Sequence, residues 1–401
     1  MKRRLRLLGL LLILPCLSLS AVDFGLILDQ SGTYNSYGDE GMMDYKAGII
    51  PRFSTNLGNF GEFHLSGGVT AEYANEDWSF VPELLRTELG LFFPFGSFNL
   101  GRIHYSDPLG YIAEGLFDGG HLSIETVIGS FSLGGWYTGF LYKNRANIAM
   151  TAAELQANNA AVDLNDLENT YFAPSRAIAA FDWEHPGLAW GFVRARLSVL
   201  GQFDMGDTEL DTQYISGTFS IPVNAFVFDL GGSLGLLGLL DDGDTQTSYA
   251  AELRAAWTLP TAFHSRLSFQ YSNFSGAGAD TEAFLPVTVA SLGYVLGAAP
   301  SGISMISLDY TARLHSTLAA SLSSNYFIRN GSQTYRSYPV SAQTGTGNRL
   351  GNEFFAQAFW SPFSDLAVNL GAGVFLPSMG DVTPEHHRLW RLEFGIILSI
   401  F

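Results

Sequence analysis

From Glu62 to Tyr73 the chain alternates residue by residue. Phe63, Leu65, Gly67, Val69, Ala71 and Tyr73 share one face, and Glu62, His64, Ser66, Gly68, Thr70 and Glu72 share the other. A period of two is the signature of an extended strand. The pattern returns at Val193, Ala195, Leu197, Val199, Gly201 and Phe203 against Arg194, Arg196, Ser198, Gln202 and Asp204. It returns again at Leu253, Ala255, Trp257 and Leu259 against Glu252, Arg254, Ala256 and Thr258, and at Leu267, Phe269 and Tyr271 against Arg266, Ser268, Gln270 and Ser272. At the end of the chain Trp390, Leu392, Phe394, Ile396, Leu398 and Ile400 form an apolar face, while Phe401 shares parity with Arg391, Glu393 and Ser399. A soluble half-buried sheet also alternates. Here the pattern fills nearly the whole chain, with no helical stretch to cover the apolar faces. Closure in a membrane resolves this, because a ring of strands pairs every backbone group in lipid.

The connections set the topology. Tight turns rich in Gly, Pro, Asn and Ser are expected at Asn56–Asn59, Pro94–Ser97, Gly129–Ser130, His185–Leu188, Pro222–Asn224, Pro260–Ala262, His315–Ser316 and Pro362–Asp365. Longer connections fall near 34–44, 107–117, 144–170, 205–208, 241–246, 276–302, 330–348 and 378–387, with a shorter one near 76–79. Residues 283–302 also fit a strand pair, which would change the count. The expected fold is all-β: a transmembrane antiparallel up-and-down β-barrel of about 18 strands, with short periplasmic turns and long extracellular loops.

The first residues read differently. Lys2, Arg3, Arg4 and Arg6 precede an apolar run from Leu7 to Leu17, and Ser18-Leu19-Ser20 supplies small residues before Ala21. This is the pattern of a secretory signal peptide over 1–20, leaving a single barrel domain over 21–401. Leu14-Pro15-Cys16 loosely resembles a lipoprotein cleavage site, with Pro15 a poor residue before the cysteine. Cys16 is the one cysteine, so an exported chain holds together without disulfides. Without the four basic residues the formal charge moves from −17 to −21, which argues against nucleic acid as a partner. High aromatic (14%) and low charged (15%) content agree with aromatic girdles and tight turns. The expected location is the outer membrane of a diderm bacterium, with outer-membrane lipid and the barrel assembly machinery as partners.

The alternation points Arg86, Arg102, Arg176, Arg194, Arg196, Arg254, Arg266, Arg313 and Arg391 into the lumen. A planar, permanently charged guanidinium suits carboxylate or phosphate, so these residues form a candidate path for polar or anionic solutes. The same arginines also have acids to pair with: Glu88, Asp182, Asp229, Glu252, Asp309, Glu353 and Glu393, in which case they brace the wall. The Ala-rich stretch from Ala146 to Val162 fits a short helix that either folds inward to constrict the pore or stays outside as a surface loop.

Three motifs imitate chemistry. Gly231-Gly232-Ser233-Leu234-Gly235 matches G-x-S-x-G, but that motif needs a strand-to-helix elbow, and here the glycines and serine make a small-residue lumen face. His386-His387 would point oppositely on a strand. Asp241-Asp242-Gly243-Asp244 lacks the spacing of a dedicated Ca²⁺ loop. No enzyme, metal or cofactor is expected.

Leu350-Gly351-Asn352-Glu353, Phe375-Leu376-Pro377-Ser378-Met379-Gly380 and Leu100-Gly101-Arg102 resemble segments of the alginate-export type of outer-membrane barrel. The resemblance implies 18 strands and an Arg-lined lumen, with Arg102 and Glu353 facing it. The expected function is a channel for small or linear polar solutes with some preference for anions. The alternative is a closed or plugged barrel serving as a surface adhesin or ligand-binding protein.

Overall fold

The computed structural model describes residues 22–400, apart from 38–39, 75, 151–153, 156–157, 159–161, 164, 207–209, 239–244, 279–280, 331–346 and 381–387. Eighteen antiparallel strands follow one another in chain order and close into a ring. They are β1 (Val22–Tyr37), β2 (Glu40–Asn56), β3 (Gly61–Ala74), β4 (Asp77–Phe93), β5 (Gly96–Ser106), β6 (Glu114–Thr126), β7 (Gly129–Tyr137), β8 (Arg176–Gly187), β9 (Val193–Asp204), β10 (Thr212–Val223), β11 (Phe226–Leu237), β12 (Gln246–Thr258), β13 (Arg266–Phe274), β14 (Ile303–His315), β15 (Leu318–Arg329), β16 (Arg349–Phe363), β17 (Leu366–Leu376) and β18 (Leu389–Ile400). Closure is made by β18 on β1, from Leu26↔Ile400 to Tyr37↔Leu389.

All eight short connections lie at one end and all the long ones at the other, as the turn chemistry predicts. Two details differ from expectation. Among the described residues of 34–44, β1 and β2 stay paired up to Tyr37↔Glu40, because Tyr34 and Met43 continue the outward alternation through that segment. The third turn is Val127-Ile128, and Gly129 already begins β7 opposite Thr126. Residues 283–302 are a loop, so the count of 18 stands. His386, His387, Asp241 to Asp244, Cys16 and Phe401 lie outside the described residues. The G-x-S-x-G segment is inside β11 and forms no elbow.

The register fixes the two faces. Leu133, Phe181, Val199, Ile215 and Leu234 are direct cross-strand neighbours over β7 to β11, all exposed on the outside. Asp182, Ser198, Ser216 and Ser233 make the adjoining inward row. Such a belt of unpartnered apolar side chains is stable only against hydrocarbon.

The wall is uneven. β4 is 17 residues long and β7 only 9. β4 pairs with β3 from Asp77 to Leu91, but with β5 only from Thr87 to Phe93, so the β5-facing edge of 77–86 has no strand beside it. Leu85 is skipped in the β3–β4 register, between Ser66↔Arg86 and Gly67↔Leu84. That bulge turns both Glu83 and Arg86 inward despite their odd spacing.

The register makes a direct test. Leu230→Lys, on the outer face, is expected to cost about 2–4 kcal/mol of stability in a bilayer. Ser268→Lys, inward beside Asp309, should cost far less. Guanidinium unfolding of the refolded barrel measures both, and equal losses would contradict the assigned faces.

Candidate functional site

The described residues of three long connections fold into the barrel and meet: 107–113 between β5 and β6, 138–175 between β7 and β8, and 275–302 between β13 and β14. Ile112 O accepts from Val287 N (2.7 Å) and Thr288 N (3.1 Å), and Thr288 Oγ1 accepts from Glu114 N at 2.9 Å. Ala149 N donates to Val287 O (2.9 Å) and Val289 N to Asn147 O (2.7 Å), with Ile148 bridging Thr288. The loops thus extend one another's backbone pairing inside the lumen. Their apolar residues Ile112, Ile148, Phe284, Val287, Leu292 and Leu296 are buried in one cluster with wall residues such as Trp136, Leu200, Tyr214 and Phe274.

The described residues of 138–175 agree with the inward one of the two expected positions. Within the helix expected over 146–162, Glu154, Leu155 and Asn158 are helical, and 151–153, 156–157 and 159–161 lie outside the described residues. A single turn, α1 (Lys143–Ala146), ends where that helix was expected to begin. Burial lowers the pKa of Lys143, while Arg145 on the same turn forms a two-point ion pair with Glu83 at 2.9 and 3.1 Å.

Two fully buried carboxylates hold the loops. Asp107 accepts from Leu109 N (2.9 Å), Ile112 N (2.9 Å) and Ala113 N (3.0 Å), and burial raises its pKa despite these bonds. Glu353, 0% exposed on β16, accepts from Tyr294 N (2.7 Å), Val295 N (2.8 Å) and Leu296 N (2.8 Å) of the third loop, and from Asn325 Nδ2 (3.0 Å). A carboxylate with several N–H donors tolerates burial because the fixed dipoles replace its hydration. Gly293, at φ +76, makes the approach possible: a Cβ there would meet Phe327 at 2.6 Å and Glu353 Oε2 at 2.9 Å. Tyr111 ties the first loop to the wall. Its hydroxyl accepts from Gln270 Nε2 at 2.9 Å, and burial with the Glu252 carboxylate pushes its pKa up to about 12.

Eight of the nine expected arginines face inward, and most of them are paired. Arg86 meets Glu88 (2.5 Å), Arg254 meets Glu252 (3.2 Å) and Arg391 meets Glu393 (3.1 Å), each two residues along its own strand. Across strands, Arg176 meets Asp204 and Arg196 meets Glu184, at 2.5 and 3.7 Å; Arg176, 1% exposed, also meets Glu154 of the 138–175 connection at 2.5 Å. Arg194 and Arg266 meet no acidic partner among the described residues, and Arg313 donates to Ser316 O (3.1 Å). All three sit beside the short turns.

Arg102 corrects the expectation. It stands opposite Thr87 and Asp118 in the row of Leu100, which is the outward face. Its inward neighbours Ile103 and Tyr105 are apolar because they pack against the loops, which inverts the usual pattern on this strand. Asp118 neutralises it at 2.7 and 2.9 Å, and it also donates to Phe140 O (3.0 Å) and to Leu84 O on the unpaired edge of β4. Beside it, the Tyr171 hydroxyl donates to Pro82 O at 2.6 Å. Arg102 therefore seals a seam and lines no lumen.

Sequence reasoning missed Asp107, Glu83, Arg145 and the whole role of 275–302. The available signal was local: Gly110, Gly293 and Gly297 adopt positive φ in loops that carry large apolar residues.

No protein-family model matches this chain, and no curated protein does. Solved structures do. OccK2 (OpdF) of Pseudomonas aeruginosa is 12% identical over 95% of this chain and 98% of its own, with a TM-score of 0.64. The same protein in complex with glucuronate is 13% identical over 95% and 98%, with a TM-score of 0.62. The outer membrane protein OprD of that organism is 14% identical over 94% of each chain, with a TM-score of 0.57. At these identities the likeness shows the fold: a closed 18-strand barrel of the kind these porins have. It does not show the alginate-export resemblance.

Removing the Glu353 carboxylate tests the clamp. Glu353→Ala strips a charged acceptor from three backbone N–H groups, worth about 1.5–3 kcal/mol each. Chymotrypsin is then expected to cut at Tyr294 in the folded mutant but not in the wild type, and identical digestion patterns would show that Glu353 does not hold the loop.

Proposed function

We propose that this protein is an outer-membrane channel for small polar solutes, exported by the 1–20 signal and delivered to the membrane by the barrel assembly machinery, in which the three inward loops form the selective constriction. The observation that carries the reading is the convergence of 107–113, 138–175 and 275–302 inside a wall lined by charged pairs. A barrel wide enough to conduct freely has no need to hold three loops on buried carboxylates. The likeness to OccK2 with glucuronate supports a solute of that general size and polarity.

Most inward arginines brace the wall in this reading, because each has its charge met by a neighbouring acid. The anion preference falls to Arg194, Arg266 and Arg313, gathered at the short-turn, periplasmic mouth. A closed barrel acting through its surface loops is the competing reading, and the apolar cluster around Ile112, Phe284 and Leu292 favours it.

Single-channel recording of the refolded protein under a KCl gradient separates these. Ohmic steps with an anion-favouring reversal potential are expected. The triple variant Arg194→Gln, Arg266→Gln, Arg313→Gln should lower the anion-to-cation permeability ratio by about twofold or more. Cation selectivity in the wild type would remove the arginine path, and a folded barrel without steps would favour the closed form.

A further inference from the structure

Among the described residues of the third loop, Tyr294 carries an aromatic ring that is both fixed and exposed. Its backbone N–H is held by Glu353 at 2.7 Å, and its ring lies parallel on Phe355, with centroids 4.5 Å apart and planes 9° apart. On its β17 side the wall beside Phe355 is glycine. Gly373 and Gly371 are its neighbours on β17, and a Cβ at either would come within 2.5–2.6 Å of the Phe355 ring. Phe355 therefore lies flat against the barrel and Tyr294 lies flat on Phe355. With one face on Phe355, Tyr294 is still 42% exposed.

Polar groups ring this shelf. Asp309, Ser323, Phe355, Gly373 and Arg391 occupy one inward row across β14 to β18, and Gln357, Gly371 and Glu393 occupy the next. Glu393 is already met by Arg391 (3.1 Å) and by Gln357 Nε2 (3.2 Å), and Asp309 accepts from Ser307 Oγ at 2.8 Å. Burial, then the Asp309 carboxylate, raises the pKa of the Tyr294 phenol, so it remains a neutral donor and acceptor.

We propose that the face of Tyr294 away from Phe355 is a stacking platform for a cyclic polyhydroxylated solute, a pyranose-like ring, passing through the constriction. The inference rests on the channel reading and names its solute class. A sugar ring has an apolar C–H face that covers an aromatic plane, and its rim hydroxyls both donate and accept. The surroundings match both properties: a rigid aromatic face, carboxylate acceptors at Asp309 and Glu393, and donors at Ser323, Gln357 and Arg391. A site for an organic cation would also use an aromatic face, but it would leave the carboxylates unpaired. Here Glu393 is neutralised by Arg391, and donors stand beside each acid.

Glucose-induced current blocks test this, with sorbitol as the open-chain polyol of similar size and choline as the cation probe. In the wild type, glucose blocks should outlast sorbitol blocks. Tyr294→Ala should shorten glucose dwell times about fivefold, Tyr294→Phe should largely keep them, and sorbitol should be unaffected by either. Unchanged glucose dwell times in a folded Tyr294→Ala barrel overturn the proposal, even if conductance rises. So does Tyr294-dependent block by choline without block by glucose. If the folded barrel gives no steps, the channel reading fails by itself. Saturation-transfer NMR of glucose on the micelle-bound protein then decides the platform: Tyr294-dependent transfer to the ring protons supports it, and no transfer overturns it.

Discussion

Backbone pairing without water governs this molecule. A strand in lipid cannot leave an edge unmatched, because each orphaned N–H or C=O costs several kcal/mol. Eighteen strands therefore return to their own beginning, with Ile400 beside Leu26. Where the ring is breached, between β4 and β5, side chains take over the missing bonds. Arg102 reaches Leu84 O and Tyr171 reaches Pro82 O, so the seam is closed by groups that would be costly there if they had no acceptor.

The lumen repeats the problem at smaller scale. A loop drawn inside brings its own backbone groups away from bulk water, and turns of irregular shape cannot satisfy them alone. The barrel meets this with buried acids and with pairing between loops. Asp107 and Glu353 each gather three backbone N–H groups, and the strand-like contacts at Ile112, Ile148 and Thr288 absorb several more. Arginines follow the same economy of charge. The paired ones have acids two residues away or on the next strand, and the three without an acid among the described residues stand beside the short turns.

Tyr294 shows how the two levels join. Its position follows from Glu353 holding the loop, from Gly293 allowing the approach, and from two glycines on β17 that let Phe355 lie flat. None of these residues is itself a recognition group for a solute, yet together they fix an aromatic ring that stays 42% exposed.

The alternation from Glu62 to Tyr73 and its repeats determined the strands, the inward and outward faces, and the 18-strand closure, because a period of two is a local property that lipid enforces on every strand. The turn residues determined which end carries the short connections. The sequence alone misplaced Arg102, since the polarity rule assumes a wet lumen and fails where the inner face packs against loops. It was also silent on the clamp: Glu353 reads as one more inward acid, and Tyr294 lies 59 residues away in a stretch without periodicity. Only the tertiary structure could decide these points, because loop conformation is set by long-range contacts with the wall and by the backbone groups that must find partners there.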